Sequence, residues 1–272
     1  MIHLKSIAIK ENTETSYPFS LPVFRRAQNV RFEQPITIFI GENGCGKSTL
    51  LDLISAKMGL YRIAMEDKIR RESDELFQNA GKNVFAEFRL TKPAGFYFSA
   101  EDFTTYILSL AREIALAQAE LRRVQTEYQN RSDFAKQMAS TPFARTIHEI
   151  DHLYQNDLLT SSHGEAYLDF FSSRMRKGQL YLLDEPETPL SVQNQLTLIT
   201  MIDQAVQNDC QFIIATHSPV LMGIPDARIW EFQENQIQEV KFENIESVLL
   251  LKQYLSNREQ FFRYLRDETA DQ

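Results

Sequence analysis

A glycine-rich segment followed by a lysine and a serine is the stretch of this chain whose residue types and spacing best suit chemistry. Gly41, Gly44 and Gly46 lead into Lys47 and Ser48 with the pattern G-x-x-x-x-G-K-S. Backbone N–H groups from the second glycine to the serine are expected to point into one concavity and cradle phosphate oxygens. In such a loop the lysine reaches the β- and γ-phosphates of a nucleotide, and the serine hydroxyl ligates Mg²⁺. The pattern therefore predicts a nucleotide phosphate site.

The flanking residues favour this interpretation over a chance glycine-rich turn. Residues 36–40 are an apolar run typical of a buried parallel strand, and residues 50–54 carry apolar side chains suited to a helix that lies on a sheet. A strand, a tight turn and a helix in this order are the context that a phosphate-binding loop requires.

Two consecutive acids, Asp184 and Glu185, follow an apolar strand predicted at residues 180–183. Ligands of open α/β sheets bind beyond the carboxyl ends of the strands, so both side chains are expected at that edge. Asp184 suits coordination of Mg²⁺ through water, and Glu185 suits polarising the water that attacks a phosphate. Acids that merely cap a helix are the structural alternative, but Pro186 follows directly and the chain also carries a phosphate loop.

His217 stands in the string ATHSP, directly after a strand predicted at residues 212–215. The end of that strand brings it to the same sheet edge as Asp184. A lone histidine there is usually a structural loop residue. In combination with the loop and the acids, a contact to the γ-phosphate is the favoured interpretation.

The four residues Ser162, His163, Gly164 and Glu165 directly precede an apolar helix predicted at residues 167–175. A serine and a glycine at a helix N-terminus form an anion site, although a serine is also routine as an N-cap. The position of this segment shortly before the acidic strand makes it a candidate for phosphate binding.

Hydrophobic periodicity predicts the strands that would position these residues. Residues 30–32 are expected to pair beside the strand that leads into the phosphate loop. Further strands are predicted at residues 2–9, 84–90, 96–98, 180–183 and 212–215, with a terminal hairpin over 230–232 and 237–240.

Three helical regions are predicted from apolar spacing and capping residues. Residues 103–129 carry apolar side chains three and four apart, and a core-facing amphipathic helix is favoured over a free coiled-coil arm. Residues 132–159 contain Pro142 and are expected to form a loop with a short helix. Ser191 is expected to cap a helix whose inner face consists of Val192, Leu196, Ile199, Ile202 and Val206.

Composition sets the broad class of protein. The 272 residues carry a formal net charge of −8, which argues against a surface devoted to wrapping nucleic acid. Of the two cysteines, Cys45 lies inside the phosphate loop, where a disulfide would obstruct a nucleotide. Both thiols are therefore expected to be reduced and the protein cytoplasmic. The sequence offers neither an apolar run long enough for a membrane span nor an initial secretory signal.

The strings GENGCGKST, SHGE, LYLLDEPETPLS and ATHSP, in this order, resemble the ATP-binding-cassette (ABC) class of P-loop ATPases. Within it the chain looks most like the soluble SMC, RecF and double-strand-break-repair branch, and like short stand-alone bacterial ATPases of the AAA family. The resemblance implies an α/β P-loop NTPase fold with an ABC-type mixed sheet and a short inserted helical lobe. It implies one ATPase domain, with a nucleotide-binding lobe at about 1–100 and 178–242, a helical signature lobe at about 101–177, and C-terminal helices at about 243–272.

The resemblance also implies roles for individual residues. The signature sequence, usually S-G-G-Q, corresponds to Ser162–Glu165 and would contact ATP held by another subunit. His163 and Glu165 depart from that pattern, and Glu101 is the residue nearest to a Q-loop position. The segment at residues 189–191 corresponds to the D-loop. The remaining implied residues are Gly41, Asn43, Gly44, Cys45, Gly46, Lys47, Ser48 and Thr49 for nucleotide, Ser48 and Asp184 for metal, and Glu185, His217 and Lys47 for catalysis.

The function that this resemblance implies is Mg²⁺-dependent ATP hydrolysis by an ATP-switched homodimer in DNA repair or defence. DNA or a partner protein is left open as a ligand, and the insertion between Glu101 and Ser162 is too short for long coiled-coil arms. Two alternatives remain: the ATP-binding subunit of a transporter, and a regulatory module that binds ATP without hydrolysing it. The presence of Glu185 argues against the second.

Overall fold

The computed structural model describes residues 1–10, 16–62, 75–151 and 163–263. Its main feature is a seven-stranded sheet in which β10 is antiparallel to its neighbour and the other strands are parallel. The spatial order is β10 (Ile237–Val240), β9 (Arg228–Phe232), β3 (Ile36–Gly41), β8 (Gln211–Ala215), β7 (Leu180–Asp184), β6 (Gly95–Ser99) and β4 (Tyr61–Arg62).

The central strands are apolar along their length because helices or the second sheet cover both faces. Every residue of β7 and β8 is buried, and β3 is buried from Ile36 to Ile40. Continuous burial of this kind is typical of parallel strands. The register pairs Ser99 with Asp184 and Asp184 with Ala215, so the carboxyl ends of β6, β7 and β8 lie side by side. The predicted α/β fold with a mixed sheet is confirmed.

A second, three-stranded antiparallel sheet consists of β2 (Gln28–Arg31), β1 (Leu4–Ile9) and β5 (Val84–Phe88), in that order. The prediction that residues 30–32 pair beside the phosphate-loop strand is wrong, because β2 pairs with β1. Both edges of β3 are occupied by β8 and β9, which come from the other end of the chain. The alternating burial of β2 suits a sheet with only one covered face.

The helices have the following bounds in chain order: α1 (Pro22–Arg25), α2 (Lys47–Met58), α3 (75–80), α4 (Ala100–Glu127), α5 (Asp133–Asp151), α6 (His163–Arg174), α7 (Val192–Gln207), α8 (Pro219–Met222), α9 (Glu246–Ser256) and α10 (258–263). Helix α2 ends at Gly59, which adopts the left-handed conformation and donates its amide to the carbonyls of Ser55 and Ala56. None of the helices in the described ranges has both the length and the apolarity that crossing a bilayer requires.

Helices α4 and α5 form a pair between β6 and β7 in the chain. The predicted stripe of α4 is partly confirmed, since Leu110, Ala117 and Val124 are buried. The start of α4 packs on the core of the main sheet, whereas its later turns contact α5. The prediction of a loop with a short helix after residue 132 is wrong, because α5 spans 19 residues with Pro142 inside it. Packing along α4 compensates for the backbone hydrogen bond that a proline removes.

Helix α7 begins at the predicted cap, where the Ser191 hydroxyl accepts a hydrogen bond from the amide of Asn194. The predicted inner face is wrong in part. Val192 and Leu196 are 60% and 53% exposed, and the buried residues are Gln195, Leu198, Ile202 and Ala205. A polar residue lies on the inner face because Gln195 donates to the carbonyl of Leu190 and accepts from Ser218.

Candidate nucleotide site

The phosphate loop connects β3 to α2 and has the left-handed backbone that its glycines allow. Gly41, Gly44 and Gly46 have φ values of +140°, +78° and +107°. A Cβ atom on Gly41 would lie 2.6 Å from the carbonyl oxygen of Phe232, so only glycine fits where β3 enters the loop. The sequence around this loop therefore dictates a turn whose amides lie at the N-terminus of α2, where an anion is favoured.

Lys47, the first residue of α2, has its ammonium group inside this loop. Its side chain is buried, and Nζ donates hydrogen bonds of 2.9 Å to the carbonyls of Gly41 and Glu42. The Cys45 sulfur lies 3.8 Å from the same nitrogen. Burial raises the pKa of the Cys45 thiol, and the Lys47 charge partly offsets that rise. The loop thus concentrates positive charge at the point where phosphate oxygens would be received.

Ser48 and Asp184 join the phosphate loop to the end of β7. The Ser48 hydroxyl donates to Asp184 Oδ1 at 2.9 Å, and the Tyr97 hydroxyl donates to Oδ2 at 3.2 Å. Burial raises the pKa of Asp184 to about 6, although the hydrogen bonds from Ser48 and Tyr97 act in the opposite direction. A hydroxyl and a carboxylate oxygen held this close are hard ligands of the kind that Mg²⁺ prefers, so the donor set fits this ion.

Glu185 and His217 lie beside each other at the carboxyl edge of the sheet. Glu185 has a left-handed backbone, with φ of 48°, and its amide donates to the carbonyl of Ala215 at 2.9 Å. Its Oε1 atom lies 3.8 Å from Nε2 of His217, and both side chains are about half exposed. Positive φ is uncommon for a non-glycine residue and here directs the side chain away from the buried strand.

A pocket of about 510 Å³ brings most of these residues together. An adjoining pocket of about 780 Å³ extends from the same loop to β9 and the start of α9. The lining of the first consists of Tyr17, Leu21, Asn43, Gly44, Gly46, Lys47, Ser48, Thr49, Glu185 and His217. The loop, the catalytic candidates and Ser48 therefore surround one space, and Asp184 is joined to it through Ser48.

The predicted signature residues lie elsewhere, at the start of α6. Ser162 is outside the described residues. A Cβ atom on Gly164 would lie 2.5 Å from Nδ2 of Asn194 and 3.2 Å from the carbonyl oxygen of Pro189, so α6 begins in tight contact with the segment after β7. Glu165 is exposed in the first turn of α6. Neither Gly164 nor Glu165 lines the pocket at Lys47.

Glu101, the residue assigned to the Q-loop position, lies exposed in the first turn of α4. The end of β6 next to Asp184 is Ser99, two residues earlier. Asp102, directly after Glu101, is buried and accepts a hydrogen bond of 2.7 Å from Nε of Arg62.

Sequence reasoning missed several residues that contact the site. Tyr97 belongs to an aromatic run that indicated only a strand, and Arg62 follows a helix without any motif of its own. Glu187 lies two residues after Glu185, beyond the acidic pair that fills the expected roles. The pattern acid-acid-proline-acid was the one signal that pointed to it.

The site and the sheet together define a P-loop ATPase class with an ABC-type sheet. The phosphate loop follows β3, the acidic pair lies at the end of β7, and a histidine follows β8, the strand between β3 and β7 in the sheet. The family model described as AAA domain matches residues 18–272, and the chain belongs to this family. The resemblance noted in the sequence is thereby confirmed for the class and the fold.

Three known proteins illustrate the similarity. The molybdate import ATP-binding protein MolC of Haemophilus influenzae is 27% identical over 215 residues, which are 74% of this chain and 72% of MolC. An Smc head domain from Pyrococcus furiosus, bound to the C-terminal domain of ScpA, aligns with a TM-score of 0.48 at 14% identity over 92% of this chain and 99% of that chain. An SMC head domain from Thermotoga maritima aligns with a TM-score of 0.45 at 14% identity, over 88% of this chain and 100% of that chain.

Proposed function

We propose that this protein binds ATP with Mg²⁺ and hydrolyses it to ADP and phosphate. The observation that carries the proposal is the 2.9 Å hydrogen bond between Ser48 and Asp184, which joins the phosphate loop to the acidic strand. Lys47, Glu185 and His217 line the pocket beside this bond. Family membership supports the same activity.

Each residue has a separate role in the proposed reaction. Ser48 and Asp184 would hold Mg²⁺, which would supply positive charge to the β- and γ-phosphate oxygens. Lys47 leaves the loop carbonyls to donate to the β- and γ-phosphates. Glu185 orients a water molecule and accepts its proton as the water oxygen bonds to the γ-phosphorus and the bond to the bridging oxygen breaks. His217 donates to a γ-phosphate oxygen.

The remainder of the nucleotide has room beside the loop. The pocket of about 780 Å³ begins at Gly41 and Asn43 and is bounded by Phe232, Gln233 and Ile245. Such a volume is in the range of small-molecule sites, and its mixed polar and apolar lining suits a nucleoside.

We also propose that ATP closes a homodimer. Gly164 and Glu165 do not line the pocket that contains Lys47 of the same chain. A second subunit would bring its own residues 162–165 to that pocket and contact the γ-phosphate. The ligand would then bridge two chains and favour the dimer by linkage.

The pathway is proposed to be DNA repair or defence, on the strength of the resemblance to the soluble branch. The similarity to MolC favours a second candidate, an ATP-binding subunit of a transporter. ATPase assays with duplex and single-stranded DNA separate the two. Stimulation by DNA supports the first candidate, and recruitment to membranes only together with a partner gene product supports the second.

The decisive experiment measures ATP binding and turnover in two variants, one changed at the phosphate loop and one changed directly after β7. Lys47→Ala is expected to abolish ATP binding in isothermal titration, because the loop loses the charge that neutralises the phosphates. Glu185→Gln is expected to bind ATP but turn over at least about a hundredfold more slowly, since its general base is lost. Lys5→Ala and Glu87→Gln, on the small sheet, serve as matched controls that are expected to behave as wild type. Unchanged binding by Lys47→Ala or unchanged turnover by Glu185→Gln contradicts the proposal.

A further inference from the structure

Glu187, two residues after the proposed catalytic base, holds the backbone at His217. Its Oε1 atom accepts hydrogen bonds from the amide of His217 at 2.6 Å and from the amide of Ser218 at 3.1 Å. Hydrogen bonds to a carboxylate are stronger than those between neutral groups. One side chain thus fixes the direction in which the His217 side chain leaves the end of β8.

The second oxygen of Glu187 has an unusual environment. Oε2 is buried and has no hydrogen-bond partner among the described residues, and the same holds for the hydroxyl of Tyr167. Buried polar groups are nearly always paired, so two that are unpaired in the same region call for an explanation. Burial raises the pKa of Tyr167 well above its ordinary value, and the carboxylates of Glu187 and Asp184 raise it further.

Tyr167 belongs to α6, the helix whose start carries the proposed signature residues. Gly164 lies three residues earlier, on the same face, in contact with the carbonyl of Pro189. The ring of Tyr167 is held edge-on against Phe98 and Phe103, with centroid distances of 4.7 and 5.2 Å. Gly164 therefore lies against the segment that follows Glu187, whereas the Tyr167 ring packs on β6 and α4.

We infer that Glu187 is a positioning residue for His217. The inference rests on the proposed function, because it takes His217 as the contact to the γ-phosphate. It assigns to the third acid after β7 a task separate from metal binding and from proton transfer.

A double-mutant cycle tests the inference. Glu187→Ala is expected to lower kcat by about 10- to 100-fold, because the amides of His217 and Ser218 lose the carboxylate that holds them, with the Kd for ATP changed less than about twofold. Combining it with His217→Ala is expected to add nothing to the effect of His217→Ala alone, because Glu187 acts through that residue. Glu187→Gln, which retains an acceptor oxygen, is expected to recover part of kcat. Additive losses would overturn the inference.

Hydrogen exchange provides a readout that does not depend on turnover. In a Lys47→Ala background, the amides of His217 and Ser218 are expected to exchange at least about tenfold faster once Glu187 is replaced by alanine, and faster by a smaller factor once it is replaced by glutamine. If the unmodified protein lacks ATPase activity, faster exchange in these variants still supports the positioning of the loop, and only the proposed function is contradicted. Unchanged exchange would overturn the inference, whatever the activity. If Glu187→Ala does not fold, Glu187→Gln carries the measurement.

Discussion

At the scale of single residues, Asp184 shows how burial sets the chemistry of a side chain. The carboxylate is 9% exposed at the end of β7, and burial raises its pKa to about 6 in spite of two hydrogen bonds that it accepts. A carboxylate in this state holds a proton until near-neutral pH unless a cation replaces it. In the proposed site, binding of Mg²⁺ and release of a proton would therefore be coupled at this residue.

The first prediction concerns this coupling. Mg²⁺ affinity, measured with ATP present in a Glu185→Gln background, is expected to fall as the pH drops below about 6, because the proton and the cation compete for Asp184. The control is the same protein with the further change Asp184→Asn, measured at each pH. The titration of the nucleotide affects the Mg²⁺ affinity of both proteins equally and therefore cancels in the comparison. An exposed carboxylate would show no such loss until about pH 4. If the ratio of the Mg²⁺ affinities of these two proteins stays constant from pH 5 to 8, the prediction is contradicted.

Arg62 illustrates the next scale, at which a side chain joins secondary-structure elements. It lies at the end of β4, donates to Asp52 of α2 at 2.6 Å and to Asp102 of α4 at 2.7 Å, and its guanidinium lies 4.4 Å from the centre of the Tyr97 ring. The pKa of Asp52 is raised to about 6, chiefly by burial, although Arg62 acts to lower it. The arginine thereby links the phosphate-loop helix to the long helix that leads away from the sheet.

A second prediction follows for Arg62→Met. Both partner carboxylates would remain buried without compensation, so the free energy of unfolding at pH 7 is expected to fall by about 2–3 kcal/mol. The loss is expected to be smaller at pH 5, where Asp52 takes up a proton. Urea denaturation at the two pH values provides the measurement, with Arg123→Met on the exposed face of α4 as a control without measurable effect. If the free energy of unfolding falls equally at both pH values, the unpaired carboxylates are not the cause of the destabilisation.

In the unmodified protein, the sign of the pH dependence of the free energy of unfolding follows from the buried carboxylates. Asp52 and Asp184 bind their protons more tightly in the folded state, with pKa values of about 6 against 3.8 for ordinary aspartates. Between those values the folded state carries more protons than the unfolded state. The contribution of both groups to the free energy of unfolding therefore declines as the pH rises from about 4 to about 6.

The elements also show what the sequence was able to predict and where it failed. Local patterns sufficed for the loop, for the start of α2, and for strands β7 and β8, because each is dictated by neighbouring residues. The partner of β2 and the inner face of α7 depend on contacts with distant residues. Counting apolar side chains also missed Gln195, whose burial is stabilised by hydrogen bonds that no periodicity encodes.

At the scale of the whole molecule, the separate positions of the phosphate loop and the signature segment determine the proposed assembly. The start of α6 lies against Pro189 and Asn194, away from the pocket that Lys47 lines. A single chain is therefore expected to bind ATP without contact from its own signature segment. Closure of two chains would complete both sites together.

The last prediction tests this assembly. With ATP and Mg²⁺, Glu185→Gln is expected to form a dimer, because hydrolysis no longer removes the bridging γ-phosphate. Adding Ser162→Arg is expected to abolish the dimer while ATP binding by the monomer persists. Ser172→Arg, at the exposed far end of α6, is the matched control that is expected to dimerise. Light scattering gives the oligomeric state, and full dimerisation of the Ser162→Arg double variant would show that the signature assignment is wrong.

The position of β3 in the main sheet has a consequence for synthesis of the chain on the ribosome. Both neighbours of β3 come from residues 211–232, whereas β3 itself ends at Gly41. Roughly 190 residues are thus made between the strand and its partners, which takes about 10–40 s at usual rates of translation. During that interval the apolar strand has both hydrogen-bonding edges open, so the nascent chain is expected to require protection from aggregation until β8 and β9 emerge.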